Sequence, residues 1–222
     1  MTDIFRNEYL SPRSPYTTLQ IPKQGIGEWC HPLHTVDIND AGLHSSVQNG
    51  ILNTELGIPF RTPAEGHNVA FTSLWDNYPD SLEIPLKGKA SRAYLLMAGS
   101  TNHMQCHIDN GVIRIYYKDG TRDVMFLRNP DNWPPIEHIF FEDGLAFNRH
   151  TPALYRLRLK TGEISNNFGE ELGFPGASRE LDGGAAVLLE MPLNPGKKLS
   201  HLVLETLSND VVIGLMSITL QR

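Results

Sequence analysis

Two histidines and a glutamine alternate within one short segment of the chain. They are His103, Gln105 and His107. Side chains two positions apart on a β-strand point to the same face, so an extended backbone would place both imidazoles on one surface. A metal ion would still need a third ligand, and its candidates lie elsewhere: His31, His34 and the acids within residues 136–143. Because solvent-facing histidines on a strand usually bind no ion, we predict no metal or other cofactor, and we name His103 and His107 as the candidates for a metal site.

Aromatic and amide side chains are concentrated in two segments of turn-like composition. One contains Trp75, Asn77 and Tyr78, and the other contains Asn132 and Trp133. The C–H face of a sugar stacks on aromatic rings and its hydroxyls pair with amides, so these residue types suit saccharide binding. The alternative is that each tryptophan fills the end of the sandwich or a seam between domains. The candidate ligand-binding residues, chosen by residue type, are Trp75, Asn77, Tyr78, Gln105, Asn132 and Trp133.

No catalytic motif can be assigned. Hydrolysis of a glycoside needs two carboxylates that face each other across a cleft. The sequence offers many such pairs and no basis for a choice among Asp76, Asp80, Asp131, Glu137, Glu142 and Asp143. It has no Gly-x-Ser-x-Gly elbow, phosphate-binding loop or dinucleotide fingerprint after a strand. We therefore assign no catalytic residue.

The side chains named so far lie on or between short predicted β-strands. Residues 68–127 contain six runs of strand-like composition separated by turn signals, at 69–72, 81–86, 92–98, 104–108, 112–117 and 121–127. Asp109-Asn110-Gly111 and Lys118-Asp119-Gly120 each put an Asx-Gly pair where a hairpin turn needs positive φ. An antiparallel arrangement is expected from this spacing.

Further strands are predicted after this block. Residues 153–160 alternate between apolar side chains on one face and Arg156, Arg158 and Lys160 on a solvent-exposed face. Strands are also expected at 186–191, 199–206 and 211–220, and the last is apolar on both faces, which favours a central position in a sheet covered on both sides. Residues 128–135 contain three prolines and predict a loop. The sequence thus predicts an all-β protein, a two-layer antiparallel β-sandwich of the jelly-roll or a related type.

Composition bounds the class of protein. The chain has 222 residues and a net charge of −6, with no long cluster of basic residues, so we expect no nucleic-acid partner. No apolar run approaches the roughly 20 residues that a membrane span needs, so we expect no membrane partner. We predict one structural unit, with a loop-rich N-terminal arm at 1–50 packed on a sandwich at 51–222.

Cys106 is predicted to be a buried thiol, and a single bridge to Cys30 stays open. The sequence shows no signal-peptide pattern, and its abrupt opening suggests a piece of a longer chain.

A resemblance to known proteins is carried by five segments: LGIPFR (56–61), YPDSLEIP (78–85), AYLLMAGST (93–101), IYYKDG (115–120) and VVIGLMSITL (211–220). In order and spacing they are similar to the galactose-binding-like β-sandwich modules attached to six-hairpin, rhamnosidase-type glycoside hydrolases, especially those of gut Bacteroidetes. The resemblance spans residues 56–222 and involves mainly strand and turn positions.

The resemblance implies an accessory domain of a periplasmic or extracellular protein that degrades polysaccharides, with the catalytic carboxylates elsewhere in the parent chain. Its partner would be a carbohydrate or the neighbouring catalytic domain. Two alternatives are kept. One is a self-contained glycan-active hydrolase or metal-dependent sugar enzyme that uses His103, Gln105 and His107 with nearby acids. The other is a purely structural interdomain module.

Overall fold

The computed structural model describes residues 12–20, 37–74, 77–101, 105–137, 148–168 and 181–222. Within these ranges the chain forms short to medium β-strands and one six-residue helix. In chain order they are β1 (Tyr16–Thr17), α1 (Ala41–Ser46), β2 (Val47–Gln48), β3 (Ile51–Asn53), β4 (Pro59–Arg61), β5 (Val69–Ser73), β6 (Ser81–Pro85), β7 (Arg92–Thr101), β8 (Asp109–Tyr117), β9 (Arg122–Arg128), β10 (Arg156–Arg158), β11 (Ile164–Ser165), β12 (Ala185–Pro192), β13 (Leu199–Thr206) and β14 (Val211–Gln221).

The strands form an antiparallel β-sandwich, as the sequence predicts. A seven-stranded sheet has the order β1-β5-β14-β7-β12-β10-β11, and a four-stranded sheet has the order β6-β13-β8-β9. Strand β13 matches its predicted bounds, and β14 extends one residue beyond its own. Among the described residues, no helix is long and apolar enough to cross a membrane.

The main core lies between these two sheets. Alternate side chains of β7, β12 and β14 point from the seven-stranded sheet toward alternate side chains of β8 and β13. Leu95, Met97 and Ile213 on one side and Ile115 and Leu202 on the other are fully buried. Burial of this apolar area supplies the main driving force that holds the sheets together.

A third layer covers the opposite face of the seven-stranded sheet. Helix α1 and a small sheet of β2, β3 and β4 pack there, burying Leu43 and Phe60 against Phe71 and Leu96. The Ser217 hydroxyl of β14 donates a hydrogen bond to the Arg61 carbonyl of β4 at 2.9 Å. Strand β14 is therefore central and covered on both faces, as predicted, and the architecture has one layer more than the predicted two.

The predicted strand at 104–108 and the predicted turn at 109–111 are both wrong within the described residues. Cys106 makes an isolated bridge with Asn129, and His107 has φ +57°, which stops a regular ladder. Residues 109–111 lie inside β8, at a bulge between Asp109 and Gly111. The Asn110 side chain is buried there instead of exposed in a turn, and it donates to the Gln105 carbonyl at 3.2 Å. The turn at Lys118-Asp119-Gly120 is confirmed, with Gly120 at φ +83°.

The prediction of a solvent-exposed basic face at 153–160 is wrong for Arg156. This side chain is 7% exposed, and its Nη2 donates to the carbonyls of Pro135, Ile136 and Ala185 at 2.9, 3.1 and 3.1 Å. Burial lowers the pKa of the guanidinium to about 9, so the group remains charged at neutral pH. Arg156 is a structural residue that ties β10 to the segment after the proline-rich loop.

We expect Arg156→Met to lower the free energy of unfolding by about 2 kcal/mol, because three buried carbonyls lose a charged donor. Chemical denaturation followed by circular dichroism measures this change. Arg122→Met, on the exposed side of β9, is the control and should change stability by no more than about 0.5 kcal/mol. Equal stability of both variants would contradict a structural role for Arg156.

Candidate functional site

Two connecting segments meet beside the sandwich core. The backbone N–H of His107 donates to the Asn129 carbonyl at 2.7 Å, and Arg128 Nε donates to Asp109 Oδ1 at 2.6 Å. The Asn129 amide also donates to Cys106 Sγ at 3.6 Å. These contacts hold the turn at 105–108 against the loop at 129–135. This loop is predicted from the three prolines of residues 128–135.

This junction brings together His107, Asp131 and His150. Asp131 Oδ2 lies 3.8 Å from Nδ1 of His107 and 3.7 Å from Nδ1 of His150. The two imidazole rings are 4.5 Å apart between centroids, with their planes 31° apart. One nitrogen of each ring and a carboxylate oxygen of Asp131 all lie within 4.8 Å of one another. The cluster therefore has two nitrogen donors and one oxygen donor facing a common space.

The charge around this cluster is mixed. The pKa of the Arg128 guanidinium is raised above its usual value by its hydrogen bond to Asp109 and by the Asp109 charge, with a smaller contribution from Asp131. Arg128 thus partly offsets the negative charge of both acids. Asp131 is 14% exposed, so its carboxylate is held mostly away from bulk water.

A groove of about 580 Å³ opens on the outer face of the seven-stranded sheet. Its floor comes from β7 and β12, where Tyr94 lies directly opposite Glu190. One wall comes from the turn between β3 and β4, and the other from the segment before β10. The lining residues are Leu56, Ile58, Tyr94, Asn132, Thr151, Pro152, Ala153, Leu154, Tyr155, Leu188 and Glu190.

The groove and the cluster share two stretches of chain. Asn132 and Thr151 line the groove, and they directly follow Asp131 and His150 of the cluster. The Thr151 hydroxyl donates to the Asp131 carbonyl at 2.6 Å, which joins the two stretches. The three ligand-type side chains therefore lie next to one end of the groove.

The residues predicted from composition are largely elsewhere. Trp133 is fully buried in the main core, so its indole presents no face to solvent. Tyr78 is also buried and packs 5.4 Å from the Phe71 ring, while the Asn77 carbonyl accepts from the Arg13 N–H at 2.9 Å. Gln105 lies in the turn before His107. Trp75, His103, His31 and His34 fall outside the described residues.

Of the predicted ligand-binding residues that the structure describes, Asn132 is the one that lines the groove. Its amide is engaged within its own loop, since Oδ1 accepts from the Arg128 N–H at 2.7 Å and Nδ2 donates to the Phe126 carbonyl at 2.8 Å. Sequence reasoning missed Tyr94, Tyr155 and His150. No local pattern marks them, because contacts between segments distant in sequence bring them to this place.

We expect Trp133→Ala to lower the free energy of unfolding by about 3–5 kcal/mol, the usual cost of removing a large aromatic side chain from a core. Thermal unfolding measures this as a fall in Tm. Tyr155, which is 40% exposed, provides the matched control, and Tyr155→Ala should cost less than about 1 kcal/mol. Similar Tm values for the two variants would place the Trp133 ring outside the core.

No protein-family model, no curated protein and no solved structure matches the chain.

Proposed function

We propose that the chain is a non-catalytic, carbohydrate-associated β-sandwich that binds a saccharide in the groove lined by Tyr94 and Tyr155. In this proposal it is an accessory domain of the galactose-binding-like, jelly-roll type, which serves a polysaccharide-degrading glycoside hydrolase. The resemblance of residues 56–222 to such modules supports the proposal, together with the antiparallel sandwich.

The groove is the observation that carries the proposal. Its volume of about 580 Å³ lies within the range of small-molecule sites. Two tyrosines supply aromatic faces and hydroxyls, and Leu56, Ile58 and Leu188 supply apolar surface for the C–H groups of a sugar ring. Tyr155 is exposed enough to contact a ligand that arrives from solvent.

The charges in the groove favour binding over hydrolysis. Among the described lining residues Glu190 is the single carboxylate, and it is paired with Arg92. Glycoside hydrolysis requires a second carboxylate across the cleft to act as base or nucleophile. Glu190 with its arginine partner is better suited to accept hydrogen bonds from sugar hydroxyls.

The partner of the domain in this proposal is the catalytic domain of the same parent protein, which acts in the periplasm or outside the cell. Such a domain would hold polysaccharide near the catalytic groups. A weak affinity for each sugar unit suffices, because the covalent connection between the two domains raises the effective concentration of polysaccharide at the catalytic domain.

The experiment is a glycan array followed by calorimetric titration with the saccharides that bind, rhamnogalacturonan fragments included. We expect Tyr155→Ala and Tyr94→Ala each to weaken the affinity by about 10-fold, which corresponds to the loss of one aromatic contact. Tyr16→Ala is the matched control, since Tyr16 is an exposed tyrosine on the edge strand β1 of the same sheet and does not line the groove.

Affinity that is unchanged in both groove variants would place the saccharide elsewhere. A protein that binds no glycan at all would support the interdomain structural module instead. Release of reducing sugar from a glycan by the wild-type protein would overturn the proposal of a non-catalytic domain and favour the alternative, a self-contained glycan-active enzyme.

A further inference from the structure

We propose that His107, Asp131 and His150 form a binding site for a divalent first-row transition metal ion, with Zn²⁺ as the reference ion. The site would use two imidazole nitrogens and one carboxylate oxygen. This inference does not depend on saccharide binding, because it uses the cluster beside the groove and none of the groove tyrosines.

The first support is the spacing of the ligand atoms. The distances of 3.8 and 3.7 Å from Asp131 Oδ2 to the two Nδ1 atoms exceed hydrogen-bonding distance. Zinc binds nitrogen and oxygen at about 2.0–2.2 Å, so tetrahedral ligand atoms are about 3.3–3.5 Å apart. The cluster needs a contraction of only a few tenths of an ångström at these two separations to hold an ion.

The second support is the orientation of Asp131. Its Oδ1 accepts a hydrogen bond from the backbone N–H of His150 at 2.7 Å. Its main-chain carbonyl accepts from Thr151. The carboxylate is thereby held with Oδ2 near both rings, which is how an outer set of hydrogen bonds orients a ligand before a metal binds.

The third support is the state of His107. Its Nδ1 is buried, and no described residue forms a hydrogen bond with that atom. A buried polar atom without a hydrogen bond costs free energy, and coordination would remove that cost. The backbone of His107 adopts a positive φ of +57°, a strained conformation of the kind that clusters at functional sites, and its N–H donates to the Asn129 carbonyl.

The donor set selects the class of ion. Calcium and magnesium prefer six or more oxygen ligands, whereas imidazole suits zinc, copper, iron and nickel. Two histidines and one carboxylate are also the protein ligands of several metal sites that keep an open position. The His150 side chain is 65% exposed, so water or a solute oxygen has access to the remaining position.

The competing account is an ion pair between Asp131 and protonated histidines. In that account Asp131 Oδ2 stays 3.8 and 3.7 Å from the two Nδ1 atoms, beyond hydrogen-bonding distance of both rings. A metal ion satisfies both nitrogens at once. The two accounts differ in whether zinc binds at neutral pH.

The test is titration of the purified chain with Zn²⁺ against a fluorescent chelator at pH 7.5. We expect one equivalent to bind with micromolar or tighter affinity and to raise Tm. His107→Ala, Asp131→Asn and His150→Ala should each weaken the affinity by about 10- to 100-fold. His201→Ala is the control, because His201 lies on β13 and stacks on Tyr116, away from the cluster, and its removal should leave the affinity unchanged.

Cobalt provides a second readout. Co²⁺ bound to two histidines and a carboxylate should give visible absorption bands that disappear in His150→Ala. Because His150 is exposed, this variant should fold even if His107→Ala does not. If the wild type binds no Zn²⁺ at about 100 μM, the proposal is overturned, because this concentration is well above the dissociation constants of ordinary zinc sites. Equal affinity of wild type and His150→Ala would overturn it as well, by moving the bound ion to other histidines.

Discussion

The close approach of β7 and β14 is the constraint on which the architecture depends. A Cβ atom at Gly99 would collide with the Val212 carbonyl and lie 2.7 Å from the Trp133 ring, and one at Gly214 would collide with Ala98 and Phe71. Glycine at both positions lets the central strands accept large side chains directly against their backbones. The core can therefore be filled on both faces of the seven-stranded sheet.

This double-sided burial also shapes the candidate site. The outer layer of α1, β2, β3 and β4 covers one part of the sheet, and at its margin Tyr94 and Leu188 pack against this layer and also line the groove. The loop that carries Asp131 begins where β9 ends, and Trp133 inserts from this loop into the core. The buried indole is thus an anchor that places the neighbouring Asp131 and Asn132 at the end of the groove.

Much of the fold could be predicted from sequence because period-2 patterns report burial directly. Strand β13 is predicted in this way, whereas β14 is predicted from a run that is apolar on both faces and the Lys118-Asp119-Gly120 turn from its Asx-Gly pair. The failures came where tertiary contacts reverse a local signal. The Asp-Asn-Gly triplet predicts a turn at Asn110, but this residue is buried inside β8. The alternation at 153–160 predicts a solvent-exposed Arg156, but its guanidinium donates to buried carbonyls.

The candidate site was harder to predict for the same reason. The sequence indicates His107 as a potential ligand, but its partners Asp131 and His150 follow from contacts between loops and not from strand periodicity. Residue type favours tryptophan for stacking on sugars, whereas Trp133 is in the core and tyrosines from β7 and the segment before β10 line the groove. Residue type suggested the chemistry, and long-range pairing decided which residues are available for it.

The central place of β14 has a consequence for how the chain reaches this structure. Residues 211–221 pair with β5 on one side and with β7 on the other, and both of those strands precede β14 by more than a hundred residues. During synthesis on the ribosome, the edges of β5 and β7 that pair with β14 stay unpaired until residues 211–221 have left the ribosome. Such late closure of a large sheet makes folding slow and leaves apolar strand edges open to wrong pairing in the meantime.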